Sequence, residues 1–299
     1  MKKFLKWTLI VLGTIVLIAV ITVLYFKSSV DGRLNKQYNI TVEDIVIPTD
    51  TASLLKGQHL SLHCKSCHGF DFSGRHLFGD EKVGMVDVPN ITGGKGSVVV
   101  GFTDKDWIRV LRHGVKPDGK PLVVMPSEVF NNFTEDELKC LIAYMKTVKK
   151  IDKSWEPPYL TTMGKVLVHI GAFGNLLSAE MIDHNKKIVP FITPEVTAKY
   201  GEHLVESSGC KNCHGKELNG HKDPNPKAPM APNLTPGGDL GKWTSDDFIR
   251  ALRTGETPEG KSLKKEFMPW ESMGLMTDDE LKAVFLYLQS QPKLATAKG

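Results

Sequence analysis

The sequence predicts an all-α protein in which one apolar N-terminal helix precedes two tandem copies of a single helical unit. Three observations carry this expectation. An uncharged run from Thr8 to Phe26 opens the chain. The segment Trp107–Lys120 recurs as Phe248–Lys261 with eight of fourteen positions identical. Threonine caps followed by apolar residues at helical spacing occur in both halves, whereas alternating strand patterns are scarce.

The N-terminal run is nineteen residues long, enough to cross a hydrocarbon core as one helix. Lys2, Lys3 and Lys6 precede it and only Lys27 follows at once, which holds the N-terminus in the cytoplasm. Residues 1–30 therefore read as a single-pass anchor of the plasma (inner) membrane in contact with lipid, with the rest on the extracytoplasmic side. A cleaved signal peptide would carry a shorter apolar region and a small-residue site, and Lys27-Ser28-Ser29-Val30 offers none, so the uncleaved anchor is favoured.

The repeat fixes the remaining organisation. A shift of 141 (Trp107 to Phe248) to 146 residues (Cys64 to Cys210) also lays Pro89-Asn90-Ile91-Thr92 over Pro232-Asn233-Leu234-Thr235, and Met125-Pro126 over Met268-Pro269. Two copies make a duplicated domain, 50–150 and 193–292, joined by a linker at 151–192. In each copy a first helix leads: Ala52 to Leu62 in one, and in the other a helix after Thr193-Pro194-Glu195, read as a threonine cap with proline at the first helical position. Thr103-x-x-Asp106 and Thr244-x-x-Asp247 open the middle helix, and Thr134-x-x-Glu137 and Thr277-x-x-Glu280 the last, all as capping boxes. Gly- and Pro-rich stretches such as 70–101 and 215–241 must wrap whatever each unit encloses.

Four of the five cysteines fall in Cys64-Lys65-Ser66-Cys67-His68 and Cys210-Lys211-Asn212-Cys213-His214. C-x-x-C-H is the attachment signature of c-type haem, with thioethers from the two thiols and the imidazole as proximal iron ligand. A redox dithiol or half a zinc site shares C-x-x-C, but here each pair carries its histidine and the unit occurs twice. The expectation is two covalently bound haem c groups held through Cys64, Cys67, Cys210 and Cys213, with His68 and His214 on iron. Such haem is attached outside the plasma membrane, in agreement with the lysine bias. A sixth ligand is needed for electron transfer, and Met125 and Met268 are the candidates because each precedes proline at the same place in the repeat. Met85 and Met230, each just before a Pro-Asn, compete with them. His59, His63, His203 and His221 read as solvated positions rather than ligands.

The order C-x-x-C-H, P-N-[IL]-T, R-x-x-R-x-G-x-x-P-[DE]-G-K, M-P and T-x-D-E-L resembles class I cytochrome c domains. More narrowly it is similar to the membrane-bound cytochrome c subunits of periplasmic alcohol, aldehyde and sugar-acid dehydrogenases. The resemblance implies that the Pro89 and Pro232 carbonyls accept hydrogen bonds from His68 and His214. It also implies that Gly57 and Gly201 let the first helix cross the last near Tyr144 and Tyr287. Those subunits commonly carry three haems and this sequence has two motifs, which leaves the partner open.

Arg112 and Arg253, identical between copies, are set against haem propionates, with a solvated helix face as the other reading. Cys140 aligns with Ala283 on the apolar stripe of the last helix and reads as a buried small hydrophobe. The linker, with Trp155-Glu156-Pro157-Pro158 and the glycine-broken run 160–177, matches nothing in the repeat. It reads as packing over the domain interface, or alternatively as a docking surface. With 41% hydrophobic and 24% charged residues there is material for two small domains, and a net charge of +4 gives no argument for nucleic acid. With His and Met on each iron, the expected function is a non-enzymatic dihaem electron carrier of a respiratory chain. Its donor would be a dehydrogenase or quinol-oxidising complex and its acceptor a terminal oxidase. A haem enzyme of peroxidase or thiosulfate-oxidising type, and an obligate subunit of a larger complex, are the alternatives.

Overall fold

The computed structural model describes residues 1–223 and 228–298. Helix α1 (Lys2–Leu34) stands free of the rest of the chain through most of its length, so its apolar side chains point outward on all sides. A helix apolar all round and unburied has no soluble packing partner to explain it. At its C-terminal end it meets the domain body, where Val30 is buried.

The first half contains α2 (Thr51–Leu60), α3 (Leu62–His68), α4 (Asp104–His113), α5 (Ser127–Phe130) and α6 (Glu135–Met145). Helices α2 and α6 cross so tightly that a Cβ at Gly57 would lie 1.9 Å from the Cys140 carbonyl oxygen and 2.8 Å from Tyr144 Cβ. All four capping boxes form: the Thr103, Thr134, Thr244 and Thr277 side chains accept from the backbone N–H of Asp106, Glu137, Asp247 and Glu280, whose carboxylates return the bond. Cys140 is buried on α6.

Between α3 and α4 the chain forms an antiparallel hairpin, β1 (Arg75–Asp80) and β2 (Gly84–Val88), which amends the all-α expectation. A third strand, β3 (Tyr159–Leu160), comes from the linker and pairs with β2 at Gly84 and Met85. Its neighbour α7 (Thr162–His169) packs on α1, with Gly164 seated against the Val83 carbonyl. The linker therefore ties the hairpin to α1 in addition to running between the halves.

The second half contains α8 (Ala198–Ser207), α9 (Cys210–His214), α10 (Ser245–Thr254), α11 (Trp270–Met273) and α12 (Asp278–Gln289). Helix α8 starts later than expected. Its cap is Thr197, whose side chain accepts from the Tyr200 N–H, and Thr193-Pro194 lies outside the helix. Gly201 repeats the Gly57 crossing, its absent Cβ falling 1.9 Å from the Ala283 carbonyl oxygen and 2.9 Å from Tyr287 Cβ. Each half has its own apolar cluster, but Leu62 of the first half packs in the cluster of the second.

Candidate functional site

Each C-x-x-C-H sequence is folded as a short helix, α3 or α9, that ends at a glycine with positive φ: Gly69 at 81° and Gly215 at 84°. The turn there reverses the chain so that Gly74 N–H donates to the His68 carbonyl at 2.9 Å and Gly220 N–H to that of His214 at 3.0 Å. A side chain at either glycine would be strained in this conformation, which is why the residue after each histidine is glycine.

Both histidines are buried, and both are oriented in the same way. Nδ1–H of His68 donates to the Pro89 carbonyl at 2.9 Å, and Nδ1–H of His214 to the Pro232 carbonyl at 2.9 Å. A carbonyl can only accept, so the proton is fixed on Nδ1 and the Nε2 lone pair is left for a metal. Burial lowers the basicity of both rings, that of His68 to about 4 against the raising effect of its carbonyl partner. Each is thus a neutral imidazole, the form that ligates iron.

The loops that supply the two carbonyls are themselves clamped, by residues whose role the sequence alone did not reveal. Asn90 Oδ1 accepts from the Thr92 N–H and hydroxyl, while its Nδ2 donates to the carbonyls of Ile151 and Lys153. Asn233 repeats this with Thr235 and the Leu294 carbonyl. The identical P-N-x-T in the two halves was the available signal.

The cysteine thiols do not suit a dithiol redox centre. Burial pushes Cys64 and Cys210 up to about 12, whereas an attacking thiol of an exchange centre is shifted down. No group of three or more His, Cys, Asp or Glu that could hold an ion occurs among the described residues. A porphyrin brings four equatorial nitrogens of its own, so paired thiols plus one free imidazole nitrogen fit haem c in both halves.

Met125 packs against the apolar cluster that contains Cys64, and Met268 against the cluster that Cys210 joins. Met85 lies on β2, paired with Gly79 and Tyr159, on the opposite face from buried Val86 and Val88. Met230 lies beside Gly220 next to the His221–Ala231 bridge. Arg112 and Arg253, expected at propionates, have protein partners. Arg112 is buried and donates to Glu43 at 2.5 Å, to the Asn131 carbonyl at 3.2 Å and to the Lys186 carbonyl. Arg253 is partly exposed and donates to Asp278 at 2.7 Å.

Three of the histidines read as solvated are instead part of an interface between the halves. His59 on α2 donates through Nε2 to Glu280 on α12 at 2.8 Å, and His203 on α8 donates to Glu137 on α6 at 2.8 Å. These pairs exchange places under the repeat, so the interface has an approximate two-fold relation. His63 lies among them, and burial pushes it down to about 4 despite the two glutamates. Each attachment motif also meets the opposite half: Asn212, inside the second motif, donates to Glu128 on α5 at 2.9 Å, and α3 packs on α11.

The sequence profile of the cytochrome c family matches residues 54–149 and 198–292. The chain is 27% identical over 264 residues to the fructose dehydrogenase cytochrome subunit of Gluconobacter japonicus, covering 81% of this chain and 53% of that protein. It is 24% identical over 278 residues to the cytochrome c subunit of the quinone alcohol dehydrogenase of Gluconacetobacter polyoxogenes, covering 84% and 58%. With the diheme cytochrome c-type of Cereibacter sphaeroides it shares 25% over 252 residues, 77% and 82%. This chain thus spans little more than half the length of the dehydrogenase subunits it matches. Two profile matches, each enclosing one complete attachment motif with its oriented histidine, lead to one conclusion: the chain belongs to the cytochrome c family and carries two covalently bound haem c groups.

Proposed function

We propose that this chain is a membrane-anchored dihaem carrier that takes electrons one at a time from a periplasmic dehydrogenase or quinol-oxidising complex and passes them towards a downstream acceptor or terminal oxidase. The observation that carries the reading is the reciprocal interface. The Met125 side of the first half, through Glu128, touches the second attachment motif, and α3 of the first motif packs on α11, which follows Met268. Haems attached at motifs that each meet the opposite half would sit in one body, which suits transfer between them better than two independent exchanges with partners. Bound haem supplies reversible ferrous–ferric cycling.

The residues then have distinct tasks. His68 and His214, oriented by Pro89 and Pro232, would ligate the haem iron through Nε2, and Met125 and Met268, packed against the same apolar clusters as the motif cysteines, would supply the other protein ligand. An iron ligated by both a histidine and a methionine would offer no site for peroxide or oxygen, which favours carrier over enzyme. The dehydrogenase cytochrome subunits among the relatives support a dehydrogenase partner. The lysine-flanked α1 supports a tether with the haem units on the periplasmic side.

Copurification from gently solubilised membranes tests the partner: a dehydrogenase or quinol-oxidising complex is expected with the chain, and recovery of the chain alone after mild crosslinking overturns that assignment. The ligands are tested by Met125→His and Met268→His. Each should halve the near-infrared charge-transfer band of sulfur-ligated ferric haem and lower one potential within the roughly 0.8 V that axial ligands span. An unchanged band in both variants shifts the assignment to Met85 and Met230.

A further inference from the structure

The linker after α7 contains an apolar turn, Ile170-Gly171-Ala172-Phe173, that no part of the electron-transfer reading uses. Ile170 is 60% exposed and Phe173 37% exposed. The turn's position along α1 can be read from three contacts. Lys165 pairs with Asp31 at 2.5 Å, the His169 ring stacks on Phe26 at 4.1 Å, and the same ring meets Tyr25 edge-on at 5.7 Å. As numbers rise along α7 they fall along α1, so the two helices are antiparallel and α7 descends towards the apolar run. It reaches Phe26, where that run ends, and the turn begins there.

Polarity along this contact is graded. Beyond Phe26 come Lys27 and Asp31 with Lys165, and further out Arg33 binds Asn175 and Glu180, where the chain has already turned back. Arg33 lies seven residues past Phe26, about 10 Å along a helix. Charged pairs thus occupy the outer level and stacked ring side chains the level of the last apolar turn. Part of the turn's backbone is also paired internally. The N–H groups of Ile170, Gly171, Ala172 and Gly174 donate to Val166, Val168, Leu167 and Gly171 carbonyls. Each such bond lowers the cost of bringing backbone towards the hydrocarbon, where water is scarce.

We propose that the turn from His169 to Gly174, led by Ile170 and Phe173, is a second membrane contact that inserts at the headgroup–acyl boundary beside α1. Exposed apolar side chains on a polar scaffold, held at the depth where a span emerges, match an interfacial element. Because β3 and α7 join this turn to the hairpin of the first half, the contact would fix the height and tilt of the haem units above the lipid. A tether of one helix alone would leave them free to swing. The inference rests on the membrane reading of α1.

Photolabelling of the full haem-loaded chain in phosphatidylcholine vesicles carrying an acyl-chain diazirine separates the two claims. Trypsin releases Trp7–Lys27 from α1 and Val166–Lys186 from the linker as single peptides. Lipid adducts on both, with fragmentation placing the second on residues 170–173, are the expected result. Adducts on Trp7–Lys27 alone overturn this inference and leave the anchor standing, while adducts on neither overturn the anchor and this inference with it. In the Ile170→Asp/Phe173→Asp variant the linker adduct should be lost with both haems retained and the α1 adduct unchanged. A conservative Phe173→Leu should keep the linker adduct, and an adduct that persists in the double aspartate variant overturns the proposal.

Discussion

The two halves hold their histidines by the same 2.9 Å bond to a proline carbonyl, clamp that proline by the same asparagine and cross their outer helices at the same glycine, yet their surroundings differ. The first half is wrapped by segments outside the repeat. Glu43 reaches Arg112, Lys186 accepts from the same guanidinium, Leu176 and Ser178 bond the backbone at Val124 and Met125, and β3 of the linker pairs with β2. In the second half Cys213 is exposed and, among the described residues, Arg253 donates to Asp278. Duplication preserved the cradle of the cofactor. The wrapping surrounds the first copy and connects it to α1.

The largest effects test what the halves share. Replacing both thiols of one motif, as Cys64→Ala/Cys67→Ala or Cys210→Ala/Cys213→Ala, should leave one haem on the denatured chain by mass spectrometry in either case. Retention of two in either variant would break the equivalence at its root. The next effect tests what they do not share. Arg112→Ala leaves Glu43 without its guanidinium and two carbonyls without a donor, and should cost about 3 kcal/mol, at the lower end for breaking a buried pair because Glu43 is only half-buried. Arg253→Ala, at a partly exposed pair, should stay within about 0.5 kcal/mol. Denaturant unfolding followed by far-ultraviolet dichroism distinguishes them. Equal costs would mean that the wrapping contributes nothing to the first half.

What the sequence made legible follows from the range of the forces involved. The attachment helices, the four capping boxes and the glycine crossings depend on residues a few positions apart, and the repeat doubled each signal. The hairpin was hidden because its buried face is only Gly84, Val86 and Val88, with glycines at φ 127° and 118° at its turn, too short for a period to show. The late start of α8 came from local competition: Thr193-Pro194 has the composition of a helix start, but Thr197 holds the cap. The His–Glu interface joins residues 221 and 66 positions apart, and no local pattern encodes that. Both partners were nevertheless duplicated by the repeat, and a charged residue kept in both copies beside a kept histidine was a signal that could have been followed.

That interface gives the most symmetrical test. Burial pushes the Glu137 carboxyl up, but the His203 hydrogen bond and charge together with Thr134 outweigh it and hold the group below the ordinary 4.5. Glu280 is set in the same way by burial, then His59 and Thr277. A carboxyl whose folded value lies below its unfolded one binds fewer protons in the folded state, so stability rises with pH between the two values. The contribution of each glutamate is therefore complete above about pH 4.5 and is lost as pH falls through the folded values. Glu137→Gln and Glu280→Gln should each cost about 1.5 kcal/mol at neutral pH, the scale of one hydrogen bond to a charged group, since glutamine keeps the shape and part of the cap. Each should also remove part of the acid-induced fall in melting temperature measured from pH 6 to pH 3, and the double variant more than either. Because the pairs are exchanged by the repeat, the two single variants should match. If Glu137→Gln flattens the acid limb and Glu280→Gln leaves it untouched, the two-fold relation is one of shape only, and the acid dependence of the interface comes from the Glu137–His203 pair.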